Sequence, residues 1–420
     1  MKQLLAKLLG FTGFPLLALA IPIVLLPVIA RLTDEAGWSS VLAGQAIGTF
    51  AGTVVLWGWN IEGPVRIARS VSQTERAGVY MDSLRTRVVL LIVVVPVVTV
   101  LVAVVSAPPS FVDALSMALA SILAGISPAW FCIGLGKPRL LAAYDTLPRV
   151  AATLVATPLL LLTHQIWIYP AVLGLAITLA LVMFHRRIGA RGSWLPPTIS
   201  SASNEIRRQL STAGINVAAN AYASSPVPLA AGTRVPDVAA AGFSSADQIF
   251  RYGTFAIAAV GNSFQSWTIE PGVANRRQRH MLAITVHCAL GILGAAILTF
   301  VGPWATSLLF GAEKSATPLV CFAYGIAYVF LSSATPLIRN LLIPAGRQRL
   351  VLTATIVTAV VGLAIMSIAG LTGSAEGIAW GMAAGEAVMF LCLIPSALRE
   401  FGRLRDSNTA VGAPHSAPMA

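Results

Sequence analysis

Charge is what this sequence has least of. Only 10% of its 420 residues are Asp, Glu, Lys or Arg, against about a quarter in soluble domains, and the mean hydropathy is +0.80. A soluble fold of this length is therefore excluded. Cysteine is scarce too: Cys132, Cys288, Cys321 and Cys392 lie in apolar runs without CxxC spacing. That reads as buried, inert thiols and points to neither a disulfide framework nor a metal site. No Ser-His-Asp set, zinc-ligand spacing or cofactor motif occurs. The segment GLGKPR (134–139) lacks the GxxxxGK[ST] spacing of a phosphate loop, so ATP does not power the chain directly. These absences argue against an enzyme and leave no residue to assign as catalytic or metal-ligating.

What is present is apolar length. Uncharged stretches recur along the chain, and about 18 apolar residues suffice for a helix to cross the hydrocarbon core. The run from Leu8 to Ala30 follows Lys2 and Lys7 but lacks a clear cleavage site, so it reads as a first span rather than a signal peptide. Helices are expected near 9–30, 40–61, 87–106, 113–135, 140–163, 167–186, 209–230, 245–268, 282–302, 316–337, 349–370 and 375–397. Barrel strands would show short alternating segments instead. Twelve spans with connections take roughly 35 residues each, which leaves no length for a separate catalytic domain. The tail 406–420 lacks periodicity and aromatics and is expected to be disordered and cytoplasmic.

The cations test that map. Twenty-eight Lys and Arg against 16 Asp and Glu give a net charge of +12, which in a soluble protein would suggest nucleic acid. With both termini cytoplasmic, 23 of the cations fall at the inner face and only Arg31, Arg234 and Lys314 at the outer. Arg149 and Arg251 fall within spans. A missed central span would invert the downstream parity and destroy this asymmetry. The net charge therefore records orientation, and no nucleic-acid partner is implied.

The chain also repeats itself. Gly136-Lys137-Pro138-Arg139-Leu140 lies opposite Gly346-Arg347-Gln348-Arg349-Leu350 at an offset of 210. Ile61-Glu62-Gly63-Pro64-Val65 resembles Ile269-Glu270-Pro271-Gly272-Val273 at 208, and Gly37-Trp38-Ser39-Ser40 resembles Gly242-Phe243-Ser244-Ser245 at 205. Three matches in one order at nearly one offset argue for duplication of a six-span unit. Six is even, so the copies are parallel repeats about an axis along the membrane normal. The expected fold is an all-α polytopic membrane protein of 12 transmembrane helices in two six-helix bundles, residues 1–206 and 207–405, around a central cavity. The basic loop from His185 to Gln209 joins them.

Several segments carry a family likeness. PVIARL (27–32), GWSSVLAGQAIGTF (37–50) and WGWNIEGPVRIAR (57–69) resemble the opening of the bacterial polysaccharide-biosynthesis flippases. PAWFCIGLGKPRLLAAYD (128–145) resembles their fourth-to-fifth span connection, and VAAAGFSSADQIFRYG (238–253) the start of their eighth span. The chain departs from the family pattern at Phe131-Cys132-Ile133-Gly134 and at Trp57-Gly58-Trp59-Asn60. These are the lipid-linked oligosaccharide flippases (Wzx type) of the MOP superfamily, which also holds the MATE exporters and lipid II flippases. The resemblance implies a cavity lined mainly by spans 1, 2, 7 and 8. It implies transfer of undecaprenyl-pyrophosphate-linked sugars across a bacterial plasma membrane, with membrane lipids and polysaccharide-assembly proteins as partners and no cofactor. A cavity of cations and amides would replace the hydration that a pyrophosphate and its sugars lose in hydrocarbon.

Polar residues within spans are the candidates for that work. Arg31 either anchors the first span or attracts phosphate. Gln45 and Asn60 on span 2 and Asn216, Asn220 and Tyr222 on span 7 either bind sugar hydroxyls or bond helices together. Arg251 on span 8 follows Asp247 by four residues and is either a phosphate ligand or half of a local pair. Asn262 and Gln265 lie further along the same span. Asp145 and Arg149 read as a satisfied pair. Glu62 and Glu270 hold equivalent places in the repeat and read as a latch with neighbouring arginines. Glu386, with no cation on its own helix, is the candidate carboxylate for proton or sodium coupling. Other readings stay open, among them a lipid II flippase, a branch expected to carry fourteen spans. A MATE-like small-cation exporter would favour acidic cavity residues, and a membrane sugar polymerase or ligase would need a larger outer loop than any found here.

Overall fold

The computed structural model describes residues 24–188, 199–269 and 276–411. Every regular element among them is a helix. The first span is described only from residue 24, as α1 (24–32), and Glu270 lies outside the described residues. Then follow α2 (Glu35–Leu56), α3 (Trp59–Arg69), α4 (Gln73–Val105), α5 (Pro108–Gly134), α6 (Pro138–Thr163) and α7 (Ile168–Ile188). After the join come α8 (Ile199–Arg208), α9 (Leu210–Ser224), α10 (Pro226–Gly232) and α11 (Asp237–Ile269). The last four are α12 (Arg276–Phe310), α13 (Pro318–Leu342), α14 (Gln348–Leu371) and α15 (Ala375–Val411).

Nine helices among the described residues are long and apolar enough to cross a membrane, α2 and α3 counting as one. The expected seventh and eighth spans are not among them, for chemical reasons. The seventh is interrupted at Ser225-Pro226, where proline cannot donate to the helical ladder. The eighth, α11, is continuous but carries Asp247, Gln248, Arg251, Asn262 and Gln265 along its length. The two spans that the family likeness places at a cavity are thus the least lipid-like. At the other extreme, α15 continues through Val411, into residues expected to lack structure. Gly402 is the only helix breaker between Pro395 and Gly412, so nothing local ends the helix sooner. Residues 412–420 lie outside the described residues.

Local chemistry sets several helix ends. Asp34 caps α2, its carboxylate accepting from the Gly37 N–H at 2.7 Å. Ser72 and Glu75 cap α4 together: the serine hydroxyl accepts from Glu75 N–H and the glutamate carboxylate from Val71 N–H. Between α2 and α3 the chain turns left-handed at Trp57 (φ 42°) and Gly58 (φ 81°), which breaks span 2. A tryptophan in this region costs energy that a glycine would not. Its indole N–H donates to the Ile206 carbonyl of α8 at 2.9 Å, a contact that fixes the unusual conformation.

The described residues pack as two compact units. One holds those up to Ser245 with Ala305–Ala316 and Gly370–Ala375; the other holds Ala246–Trp304, Thr317–Ala369 and those from Glu376 on. The division does not fall at residue 206, because α9, α10 and the first turns of α11 pack in the first unit. There Trp38 donates its indole N–H to Ser245 at 3.0 Å and lies 5.1 Å, centroid to centroid, from Phe310.

Within the first unit, α2 meets α5 along small residues. A Cβ on Gly44 or Gly48 would collide with the carbonyls of Ala114 and Ala118, so the two backbones are in direct contact. Dispersion and close approach drive such packing where lipid removes the hydrophobic contribution. At one end, Trp59, Tyr80, Trp130, Phe131 and Phe184 form a buried aromatic cluster. Arg87 is fully buried beside it. Its guanidinium donates to the carbonyls of Ser83, Gly125 and Ser127, capping the point where α5 breaks before Pro128. In the second unit the ring of Tyr328 fills the space that a side chain on Gly294 would need, and its hydroxyl donates to the Gly253 carbonyl.

The internal repeat is visible in the backbone. Gly136 and Gly346 both have positive φ, at 63° and 75°. Each accompanies the same pair of closing bonds: Gly136 N–H to Ile133 and Lys137 N–H to Cys132, then Gly346 N–H to Ile343 and Arg347 N–H to Leu342. These are identical helix-terminating turns at the sequence offset of 210.

Replacing Gly44 or Gly48 with valine should force α2 and α5 apart and cost about 1–3 kcal/mol. The melting temperature of the detergent-purified protein should drop accordingly. Gly214→Ala, at a position with open space, is the control and should leave it nearly unchanged.

Candidate functional site

The described intramembrane polar residues fall into separate groups, which are best taken unit by unit. At the broken end of span 2, α3 is tied to the join and to α9. Arg66 pairs with Glu62 on its own helix at 3.0 Å and with Glu205 of α8 at 2.6 Å. Glu205 also accepts from Arg208 and Gln209, while Glu62 accepts from the Thr212 hydroxyl. Arg66 stacks over the ring of Trp59 at 4.6 Å. One turn along, the Asn216 amide N–H approaches the side-chain amide oxygen of Asn60 at 3.5 Å, and Asn220 donates back to the Asn216 backbone carbonyl. Asn60, Glu62, Asn216 and Asn220 therefore make one seam in which helix-to-helix bonding engages several of the polar groups. Tyr222, on the same helix, is buried.

Gln45 sits elsewhere in the first unit. It lines a cavity of about 310 Å³ within the bundle, together with Thr49 and Thr53 of α2, Ser121 of α5, Arg149 of α6 and Tyr169 of α7. Arg149 reaches Asp145 at 3.3 Å, and the same carboxylate oxygen takes a shorter bond from Ser127 at 2.6 Å. Asp145 lies in a wide helical turn, Ala142–Thr146, which re-aims its side chain. Arg31 is exposed and donates to the Leu308 carbonyl near the end of α12 at 3.2 Å. It lines a smaller recess of about 200 Å³ with Pro27, Leu32, Leu161 and Leu309.

In the second unit Arg251 is bound to Asp247, one turn earlier, and Asp247 accepts from the Tyr324 hydroxyl at 2.8 Å. The carboxylate is buried and the guanidinium partly exposed. The geometry thus contains the local pair that the four-residue spacing suggests, with a tyrosine added from α13. Asn262 accepts from Arg339 at 3.0 Å. Gln265 is exposed. Glu386 is 7% exposed and makes no hydrogen bond or ion pair among the described residues.

Three arginines escape the reading of charge alone. Arg87 and Arg339 count as inner-face cations by position, yet Arg87 is buried under the break in α5 and Arg339 lies inside α13. The signal for Arg339 was present: the wide turn Leu337–Leu342 follows Pro336, and the apolar run continues past it to Gly346. Arg149, read as a satisfied pair, also faces a cavity that no linear pattern reveals.

No family model matches the sequence, and none of the curated proteins is significantly similar to it. Solved structures nevertheless share its fold. The chain shares its all-helical fold with solved membrane transporters. It is similar to the lipid II flippase MurJ in an inward closed conformation, with a TM-score of 0.72 and 10% identity, covering 94% of this chain and 89% of that one. It is similar to an inward-facing multidrug resistance MATE family transporter of the MOP superfamily, with a TM-score of 0.60, 16% identity, and coverage of 93% and 99%. A third likeness is to a MOP superfamily transporter from Pyrococcus furiosus whose binding pocket has reversed polarity, with a TM-score of 0.53, 14% identity, and coverage of 95% and 96%. The all-helical, multi-pass architecture expected from the sequence is the one found.

Glu205 accepts from three partners and so holds α8 against α3. Glu205→Gln should loosen that helix and raise the rate of trypsin cleavage after Arg207 or Arg208 in the full-length protein about threefold or more. Unchanged cleavage would show that the Trp57–Ile206 bond holds α8 alone.

Proposed function

We propose that this chain is a flippase that carries an oligosaccharide linked to undecaprenyl pyrophosphate from the inner to the outer leaflet of a bacterial plasma membrane. Transport runs by alternating access and serves cell-surface polysaccharide assembly. The observation that carries this reading is the presence of arginines and amides on helices whose surroundings are apolar. Arg31, Arg149, Arg251 and Arg339 lie there, each with a partner inside the protein, and polar residues so placed commonly mark a substrate path. Arginine suits the bidentate recognition of phosphate and carboxylate oxygens. Fold similarity to a lipid flippase over 94% of the chain supports a lipid-borne substrate.

In this reading Arg31 and Arg251 attract the pyrophosphate, while Gln45, Asn60, Asn216, Asn220, Tyr222, Asn262 and Gln265 receive sugar hydroxyls. Glu62, through Arg66 and Glu205, latches span 2 to the join, and Glu270 holds the equivalent place in the second repeat. The polyprenyl chain stays in lipid, and no covalent step is required. Glu386 couples transport to a proton or sodium gradient: a carboxylate buried without a cation is costly unless it binds an ion or a proton. Both termini face the cytoplasm.

Deleting the gene should make lipid-linked glycan accumulate on the inner leaflet, and the wild-type gene should restore export. Arg251→Ala and Arg31→Ala should insert normally yet lower export about tenfold or more, each removing a charge-assisted contact. Wild-type export in both would remove the cationic role. Shortened external chains without inner-leaflet accumulation would indicate a polymerase instead.

Glu386→Gln should retain expression and abolish the dependence of export on an imposed proton or sodium gradient, measured in proteoliposomes. Undiminished gradient dependence in this variant would exclude Glu386 as the coupling site.

A further inference from the structure

The cavity inside the first unit is built for a more specific ligand than a lipid headgroup in general. At about 310 Å³ it reaches the range of small-ligand pockets. Its polar lining divides by hydrogen-bonding role. The hydroxyls of Thr49, Thr53 and Ser121 each donate backwards to a carbonyl of their own helix, those of Gln45, Thr49 and Met117 at 2.7, 3.2 and 2.8 Å. Their protons are committed, so toward the cavity they offer oxygen lone pairs. A ligand that engages these three oxygens brings its own donors, as a set of sugar hydroxyls does, while Gln45 can both donate and accept. Leu56, Met117 and Leu173 supply apolar wall for the C–H faces of such a ring.

The charge on the wall is equally restrictive. Arg149 is the one ionisable cation lining the cavity among the described residues, and no carboxylate lines it. The guanidinium carries five donors, of which one is engaged among the described residues, in the 3.3 Å contact to Asp145. That contact is weak because Ser127 holds the same carboxylate oxygen more closely, at 2.6 Å. Arg149 is thus positioned by Asp145 while it lines the cavity, partly exposed. A cationic drug finds no counter-charge here, whereas an acid group on a sugar finds a fork that matches it.

We propose that this cavity is a subsite for a saccharide unit bearing one acidic group, with Arg149 selecting the acid and Thr49, Thr53 and Ser121 accepting from the sugar hydroxyls. It rests on the flippase reading and narrows the cargo to an acidic glycan. The test uses the full-length protein in lipid nanodiscs and three probes: a disaccharide ending in glucuronate, its neutral glucose counterpart, and inorganic phosphate. The acidic disaccharide should bind about tenfold more tightly than the neutral one, as a charge-assisted bond adds, and phosphate alone should bind more weakly than either. The double variant Asp145→Asn/Arg149→Gln, which leaves no charge unpaired, should lose the preference. Thr49→Val, nearly isosteric, should weaken both sugars by a similar factor and keep the preference. Equal affinity of the wild type for both sugars, a preference that survives in the double variant, or phosphate binding as tightly as the acidic sugar would each overturn the subsite. Normal export of glycan-lipid with no acid preference sinks the subsite alone. Acid-selective binding by a protein that supports no export sinks the flippase reading instead.

Discussion

A polar group that enters hydrocarbon must find a partner within the protein, and the structure follows from how that demand is met. Each unsatisfied group costs several kcal/mol, so helices are the only regular element described, and side chains are drawn to the places where one breaks. Where α5 breaks before Pro128, the buried guanidinium of Arg87 takes up the carbonyls of Gly125 and Ser127. Where span 2 breaks, the indole of Trp57 binds the join. The same demand holds Asp247 between Arg251 and Tyr324, and Arg339 against Asn262. Arginine serves here as a mobile source of donors as much as a charge.

Small residues meet the second demand, for contact without a hydrophobic effect. Gly44 and Gly48 bring α2 against α5 so closely that backbone meets backbone. This rigid seam leaves the polar face of α2, with Gln45, Thr49 and Thr53, turned into the adjoining cavity. One helix thereby presents a packing edge and a cavity edge at once, with glycine on the first and hydroxyls on the second.

Much of the fold was legible in the sequence because lipid constrains composition so strongly. Uninterrupted apolar runs and the turns around Gly136 and Gly346 left little choice of architecture, and the duplicated turn reappears bond for bond. The pairs Glu62–Arg66, Asp145–Arg149 and Asp247–Arg251 were legible too, since four-residue spacing is a property of the helix itself. What linear spacing could not show is which helices meet. The Tyr324 hydroxyl on Asp247, the Arg339–Asn262 contact and the hold of Glu205 on Arg66 each cross more than 70 residues. The cavity beside Arg149 likewise depends on four helices converging.

The left-handed step at Trp57-Gly58 has a mechanical meaning. Its counterpart in the second repeat, in α11, is an unbroken rod of 33 residues. The two copies therefore differ in course: the first takes a pinned left-handed step beside the join, and the second stays helical through the equivalent positions.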